Sequence, residues 1–193
     1  MRKVRVIAAE KGIPIEYVIE RPNVEGSRVP KLNPLGKIPV LLLDNGEAIY
    51  DSVVIGEYFE GLKPEPQLVP ADFAGRIAVK RWEALGDGIA DATVILSHDL
   101  GPMHGPEKQA PWIARHEAKI ERSLGAIASG VQGRSWLYGD GYTLADISAG
   151  YALSYLDQVL ATFDWRARCP QLLGYAERLN ARASFRDTVP VQA

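Results

Sequence analysis

Asn33-Pro34-Leu35-Gly36-Lys37-Ile38-Pro39-Val40-Leu41-Leu42-Leu43-Asp44-Asn45-Gly46-Glu47-Ala48-Ile49-Tyr50-Asp51-Ser52 packs a turn, a constrained X-Pro bond, a hairpin and a helix start into one run. Asn33 to Gly36 has turn chemistry, since Pro presets φ while Asn and Gly tolerate left-handed backbone. Val40 to Leu43 is β-branched and aliphatic, the composition of a short buried strand. Asn45-Gly46 is a hairpin signal, and Glu47 to Tyr50 returns as a second strand. Asp51 and Ser52 then offer oxygens at the start of a helix over Val53 to Gly61, with Val54, Ile55, Tyr58, Phe59 and Leu62 at helical spacing.

At Ile38-Pro39 a strand opens on a residue that cannot donate to a ladder. A cis bond there turns the backbone N–H and C=O of Ile38 outward, where an extended peptide-like ligand can pair with them as one more strand. A zwitterionic ligand end then meets Asp51-Ser52, where helix N–H groups and a hydroxyl receive a carboxylate and the Asp receives an ammonium. An ordinary hairpin followed by a capped helix fits the same residues equally well.

The strings N-P-L-G-K-I-P-V-L and D-N-G-E-A-I-Y-D-S resemble the glutathione-binding segment of cytosolic glutathione transferases of the bacterial type. In that family a thioredoxin-like α/β domain is joined to an all-helical one. The resemblance implies that Ile38, before a structural cis-proline at Pro39, holds the cysteinyl backbone of glutathione. It further implies that Asp51 and Ser52 hold the γ-glutamyl end and that Lys37 meets the glycyl carboxylate. Glutathione as co-substrate, a small electrophilic second substrate, no metal and a homodimer come with the same resemblance.

Composition sets the outer bounds. The 193 residues suffice for one large or two small domains with a real core. With 22 basic against 24 acidic residues there is no electrostatic drive toward nucleic acid or anionic membranes. Cys169 is the sole cysteine, so no intrachain disulfide forms and a reducing, cytoplasmic home is the natural reading. No apolar run approaches membrane-spanning length, and the first ten residues are too soon charged for a secretory signal.

Around the central stretch, Arg2 to Lys11 reads as a helix stopped by Gly12 and Pro14. Ile15 to Glu20 alternates like a strand and ends at Arg21-Pro22. Lys63 to Pro70 holds Pro64, Pro66 and Pro70 and is a linker, dividing a glutathione-binding domain over 1–62 from a helical domain over 71–193. In the second domain a helix runs from Asp72 to about Ser97, carrying Gly86 and Gly88, each about 1 kcal/mol worse than Ala, with close helix packing as the compensation. The loop 98–106 is a candidate wall of a substrate pocket, and a further helix spans Pro111 to about Ala128. Thr143-Leu144-Ala145-Asp146 is a capping box, with Asp in place of the usual Glu, similar to the one glutathione transferases carry at the central helix of their second domain. The last clear helix runs from Pro170 to about Arg182.

Three features set expectations about the beginning of the chain. The first helix has no capping residue and bears Arg2, Lys3 and Arg5 at the positive end of its dipole. The first strand of the thioredoxin-like sheet has no counterpart, leaving Ile15–Glu20 and Val40–Leu43 separated by two inter-strand spacings of about 4.8 Å each. In the resembled family the Ser, Tyr or Cys that activates the thiol lies at the end of that strand or in the loop after it, so here it falls before Met1 and the catalytic residue is unknown. The expectation is that Met1 is not the start of the natural, active chain; the alternative is a shortened paralogue, poorly stable and inactive.

Other chemistries find little support. His98 and His104 sit in a Gly/Pro loop without metal-ligand spacing, and His116 stands apart. No G-x-S-x-G, Walker loop or G-x-G-x-x-G occurs. Cys169 precedes Pro170 at a helix start, where a packing role outweighs a reactive one. The reading is a glutathione S-transferase, serving detoxification by adding the glutathione thiolate to a small electrophile, with a non-catalytic transferase-like binding protein as the alternative. Conjugation, peroxidase, isomerase and dehalogenase chemistry are not separated by sequence.

Overall fold

Val4, Val6, Ile7 and Ala8 turn one apolar face inward and make Arg2–Lys11 a helix, α1, that ends on Gly12 in the left-handed region at φ +58°. The N–H of Gly12 donates to the Ala9 carbonyl over 3.1 Å and that of Ile13 to Ala8 over 2.9 Å, so the last turn is closed by its own backbone. This computed structural model describes residues 2–98 and 106–190. It divides into two units, one taking in the chain up to Leu68 together with the residues from Ser184, the other spanning Val69–Ala183.

The first unit continues with α2 (Val29–Leu32), β1 (Leu41–Leu42), β2 (Ala48–Ile49) and α3 (Ser52–Leu62). The two strands are antiparallel, Leu41 opposite Ile49 and Leu42 opposite Ala48. Gly46 at φ +86° closes the turn, its N–H donating to the Leu43 carbonyl over 2.9 Å, while Asn45 Oδ1 accepts from the Glu47 N–H at the same distance. Helices α1 and α3 pack together through Ile7, Ile55 and Phe59, all buried.

The strand expected over Ile15–Glu20 is not formed. An alternating pattern makes a strand only when a neighbour takes its N–H and C=O groups, and among the described residues β1–β2 is the one ladder. Residues 15–20 carry no ladder, and Val18 and Ile19 stand 53% and 60% exposed. Arg2 and Arg5, unfavourable to the α1 dipole, have tertiary partners instead. Arg2 Nη2 donates to the Phe185 carbonyl over 2.6 Å and Arg5 Nη1 to the Thr188 carbonyl over 3.2 Å. Ser184 Oγ donates to the Glu10 carboxylate, so α1 holds the segment from Ser184 along its length.

Lys11, like Lys3, is a buried cation of this unit, each 1% exposed. Its Nζ donates to the carbonyls of Lys63 over 2.7 Å and Pro66 over 2.9 Å and lies 3.0 Å from Glu60 Oε1. An ammonium at the carbonyl end of α3 meets the negative pole of that helix, which offsets part of its desolvation.

The second unit comprises α4 (Phe73–His98), α5 (Pro106–Gly130), α6 (Leu144–Val159), α7 (Trp165–Arg168), a 3-10 turn (Pro170–Leu172) and α8 (Leu173–Asn180), and α9 (Ala183–Arg186) straddles the junction. Helix α5 starts five residues earlier than Pro111, which lies inside it. Pro106 suits a first helical position, whereas Pro111, in the second turn, lacks the N–H that would pair with the carbonyl four residues back. The core joins Val79 and Ile89 of α4, Ile120 and Leu124 of α5, and Ile147, Leu153 and Leu156 of α6. Gly86 is where α4 meets α6: a Cβ there would stand 2.7 Å from the Ser148 carbonyl oxygen, whereas one at Gly88 meets nothing within 4 Å.

The capping box of α6 is formed. Thr143 N–H donates to Asp146 Oδ2 over 3.0 Å, and Thr143 Oγ1 accepts from the Ala145 N–H over 3.3 Å. Asp146 does more than cap, since its Oδ1 accepts from the Leu137 N–H over 2.9 Å and from Tyr175 Oη over 2.8 Å. Burial pushes its carboxyl up, and the hydrogen bonds from Leu137, Thr143 and Tyr175 oppose that shift.

Candidate functional site

Asn33 ends α2 and organises the turn into the hairpin. Its N–H donates to the Val29 carbonyl over 2.8 Å, and its own carbonyl accepts from the Gly36 N–H over 2.8 Å. The side chain, 1% exposed, accepts from the Leu35 N–H over 3.0 Å and donates through Nδ2 to the Lys37 carbonyl over 2.8 Å. Gly36 takes φ +61°, which a residue bearing a Cβ adopts poorly. Upstream, Glu20 braces the entry to α2: Oε2 takes Arg28 Nε over 3.1 Å, and Oε1 takes Ser27 Oγ over 3.3 Å and the Arg28 N–H. That backbone hydrogen bond from Arg28 leads the causes that hold the Glu20 carboxyl below its ordinary value.

The turn delivers Lys37 and Ile38 to the surface, both exposed, and the Ile38–Pro39 peptide bond is cis. On the other strand Asp51 is the N-cap of α3: Oδ1 accepts from the Val53 N–H over 3.0 Å, and the Asp51 carbonyl accepts from Ile55 over 2.9 Å. The N–H groups of Ser52 and Val54 belong to the first helical turn and have no acceptor within the helix. Asp51 is exposed and uses one oxygen in capping, which leaves Oδ2 for another donor.

Hairpin register brings these residues to one place. Pro39 and Asp51 each lie two residues beyond the Leu41–Ile49 pair, at the end of the hairpin away from Asn45-Gly46. Lys37-Ile38 precede Pro39 and Ser52 follows Asp51, so a cation leads into the hairpin and an anion leads out of it at that end. An exposed residue leading into a hairpin whose open end carries opposite charges suits an extended ligand with a carboxylate and an ammonium. Asn33 was legible as a turn residue only; its inward amide is a tertiary fact.

Among the described residues, two other candidate groups are buried. Cys169 is buried, donates to the Leu124 carbonyl at 3.9 Å, and burial pushes its thiol up. His116 is buried with its ring centroid 4.6 Å from that of Trp112, and desolvation lowers its pKa, with Lys119 and Arg115 adding to the shift. The candidate substrate wall over 98–106 falls largely on residues 99–105, which lie outside the described residues, as does His104. Among the described residues no three His, Cys, Asp or Glu side chains group in a way that holds a metal ion, and no helix is long and apolar enough to cross a membrane.

A thioredoxin-like α/β domain carrying this hairpin end, followed by an all-helical domain, is the architecture these elements define. Residues 1–62 match the family model described as glutathione S-transferase, N-terminal domain, and residues 110–178 match glutathione S-transferase, C-terminal domain. The chain is 33% identical over 193 residues, covering 100% of itself and 95% of the relative, to the uncharacterized GST-like protein YibF of Escherichia coli strain K12. A glutathione S-transferase crystal structure from Methylobacterium radiotolerans, in complex with glutathione sulfonate, superposes with TM-score 0.91 at 44% identity, over 100% of this chain and 90% of that one. A second, from Methylobacillus flagellatus with GSH bound, gives TM-score 0.89 at 39% identity, over 98% and 94% of the two chains. The chain belongs to the glutathione S-transferase family.

Proposed function

We propose that the protein binds glutathione at the open end of the β1–β2 hairpin and adds its thiolate to a small electrophile. The observation that carries this reading is the open end of the hairpin, where the exposed residues Lys37 and Ile38 lead into β1 and the exposed Asp51 caps α3. Ile38 pairs with the cysteinyl residue as a strand neighbour. Asp51 Oδ2 takes the γ-glutamyl ammonium, and the Ser52 hydroxyl and first-turn N–H groups of α3 take its carboxylate. Lys37 faces the glycyl carboxylate. Contacts spread along the peptide hold the sulfur in place for attack: the thiol proton leaves to solvent, the sulfur lone pair forms the S–C bond, and the displaced π pair of the electrophile takes a proton from solvent. The chemistry needs no metal. Relatives crystallised with GSH and with glutathione sulfonate support the ligand.

The protein acts as a homodimer in the cytoplasm on this reading. Phe73 and Ile77, one turn apart on α4, are 80% and 52% exposed, an apolar face suited to a second copy. Sedimentation that finds only monomer at micromolar concentration overturns the dimer. Calorimetry tests the site: glutathione binds the wild type, and Asp51→Ala weakens it about tenfold or more. A wild type that binds no glutathione, or binding indifferent to Asp51→Ala, overturns the assignment.

A further inference from the structure

A buried side chain holds the Lys37–Ile38 peptide plane. A trans peptide holds its C=O and N–H in one plane, pointing in opposite directions. Asn33 Nδ2 donates to the Lys37 carbonyl over 2.8 Å from a side chain that is 1% exposed. With that carbonyl drawn inward, the N–H of Ile38 in the same plane faces outward. The amide of Asn33 is itself held, because its Oδ1 accepts from the Leu35 N–H over 3.0 Å and so presents the NH2 group to Lys37. Its backbone is held at both ends by Val29 and Gly36.

We infer that Asn33 is a positioning residue for ligand binding, whose carboxamide aims the Ile38 N–H at the cysteinyl carbonyl of glutathione. The inference rests on the glutathione reading above and adds to it a residue that never touches the ligand. Lys37 contributes two separable parts: its carbonyl belongs to the Asn33 clamp and its side chain to the ligand's glycyl end.

Asn33→Asp is the informative variant. It keeps shape and the oxygen that accepts from Leu35, but sets a carboxylate oxygen against the Lys37 carbonyl where a donor stood. Oxygen against oxygen repels, and rotating the peptide plane relieves it by turning the Ile38 N–H toward the new carboxylate. The wild type, N33D, K37A and E20Q are titrated with glutathione and with γ-glutamylcysteine, which lacks the glycyl residue. N33D is expected to lose about tenfold or more for both ligands, and K37A to lose affinity for glutathione alone. E20Q loosens the same loop without touching the peptide plane and is expected to stay within about twofold of wild type for both. If N33D spares γ-glutamylcysteine, or if E20Q falls as far as N33D, the positioning role is overturned.

A second measurement separates this inference from the function it rests on. In the free protein the Ile38 amide is expected to exchange with solvent deuterium near the rate of an unprotected amide, and in N33D to be protected about tenfold or more. An Ile38 amide already protected in the wild type, or unchanged in N33D, overturns the inference whether or not glutathione binds. A wild type that binds neither thiol peptide, together with the expected exchange pattern, overturns the glutathione reading and leaves the clamp standing.

Discussion

Tyr175 Oη donates to Asp146 Oδ1 over 2.8 Å, joining α8 to the N-terminus of α6 inside the second unit. Asp146 is 0% exposed and Tyr175 is 2% exposed. The same carboxylate serves the Leu137 and Thr143 N–H groups, so one side chain ties the turn before α6, the helix start and α8 together. Removing it strands donors that water does not reach. Asp146→Ala is expected to cost about 3–5 kcal/mol and Tyr175→Phe about 1–3 kcal/mol in urea unfolding. A loss for Asp146→Ala no larger than the 1 kcal/mol or so of a simple cap would show that the Tyr175 and Leu137 bonds contribute nothing.

Lys11 and Glu60 make the comparable test in the first unit. Lys11→Met keeps the stem but removes a buried charge, leaving the Lys63 and Pro66 carbonyls without their donor and Glu60 without its counter-ion. A loss of about 2–4 kcal/mol is expected, concentrated in the first unit and visible as early exchange of α1 and α3 amides. Unchanged protection of those helices would contradict the role assigned to Lys11.

Gly86 and Gly88 sit two residues apart on α4 and should respond with opposite signs. A methyl at Gly86 meets the Ser148 carbonyl at 2.7 Å, so Gly86→Ala is expected to destabilise by about 1–3 kcal/mol as α4 and α6 move apart. Gly88→Ala meets open space in a helix interior and is expected to stabilise by about 0.5–1 kcal/mol. Thermal melts of the two variants check this, and a common sign would refute the packing argument.

Burial raises the phenolic pKa of Tyr151, Tyr155 and Tyr175, with desolvation the leading cause for each. For an acid whose native pKa is raised, the unfolded chain loses the proton first. These tyrosines therefore leave stability unchanged below the ordinary value of about 10 and reduce it as pH climbs past that value. Tyr151→Phe should flatten the alkaline fall in stability by up to about 1.4 kcal/mol per pH unit and change nothing in the slope at pH 7. Identical slopes for wild type and variant above pH 10 would place Tyr151 in water.

Local sequence determined the features that depend on neighbours along the chain. The Asn45-Gly46 turn, the Asp51 cap on α3 and the Thr143–Asp146 box come from backbone preferences and side chains within three residues, and all are formed. The strands the turn joins are two residues each, and β1, read as buried, leaves Leu42 53% exposed. Tertiary structure decided the features that depend on partners distant in sequence. The alternation of Ile15–Glu20 found no neighbouring strand and stayed without a ladder, because a strand is a relation between two segments. The basic start of α1, unfavourable when judged against its own dipole, is matched to carbonyls of Phe185 and Thr188. Lys11 is buried only because the end of α3 and the proline linker bring carbonyls to it. At the candidate site, residue types and spacing were legible in the sequence. The direction of the Ile38 N–H was not, since it is set by the buried amide of Asn33 acting across a folded turn.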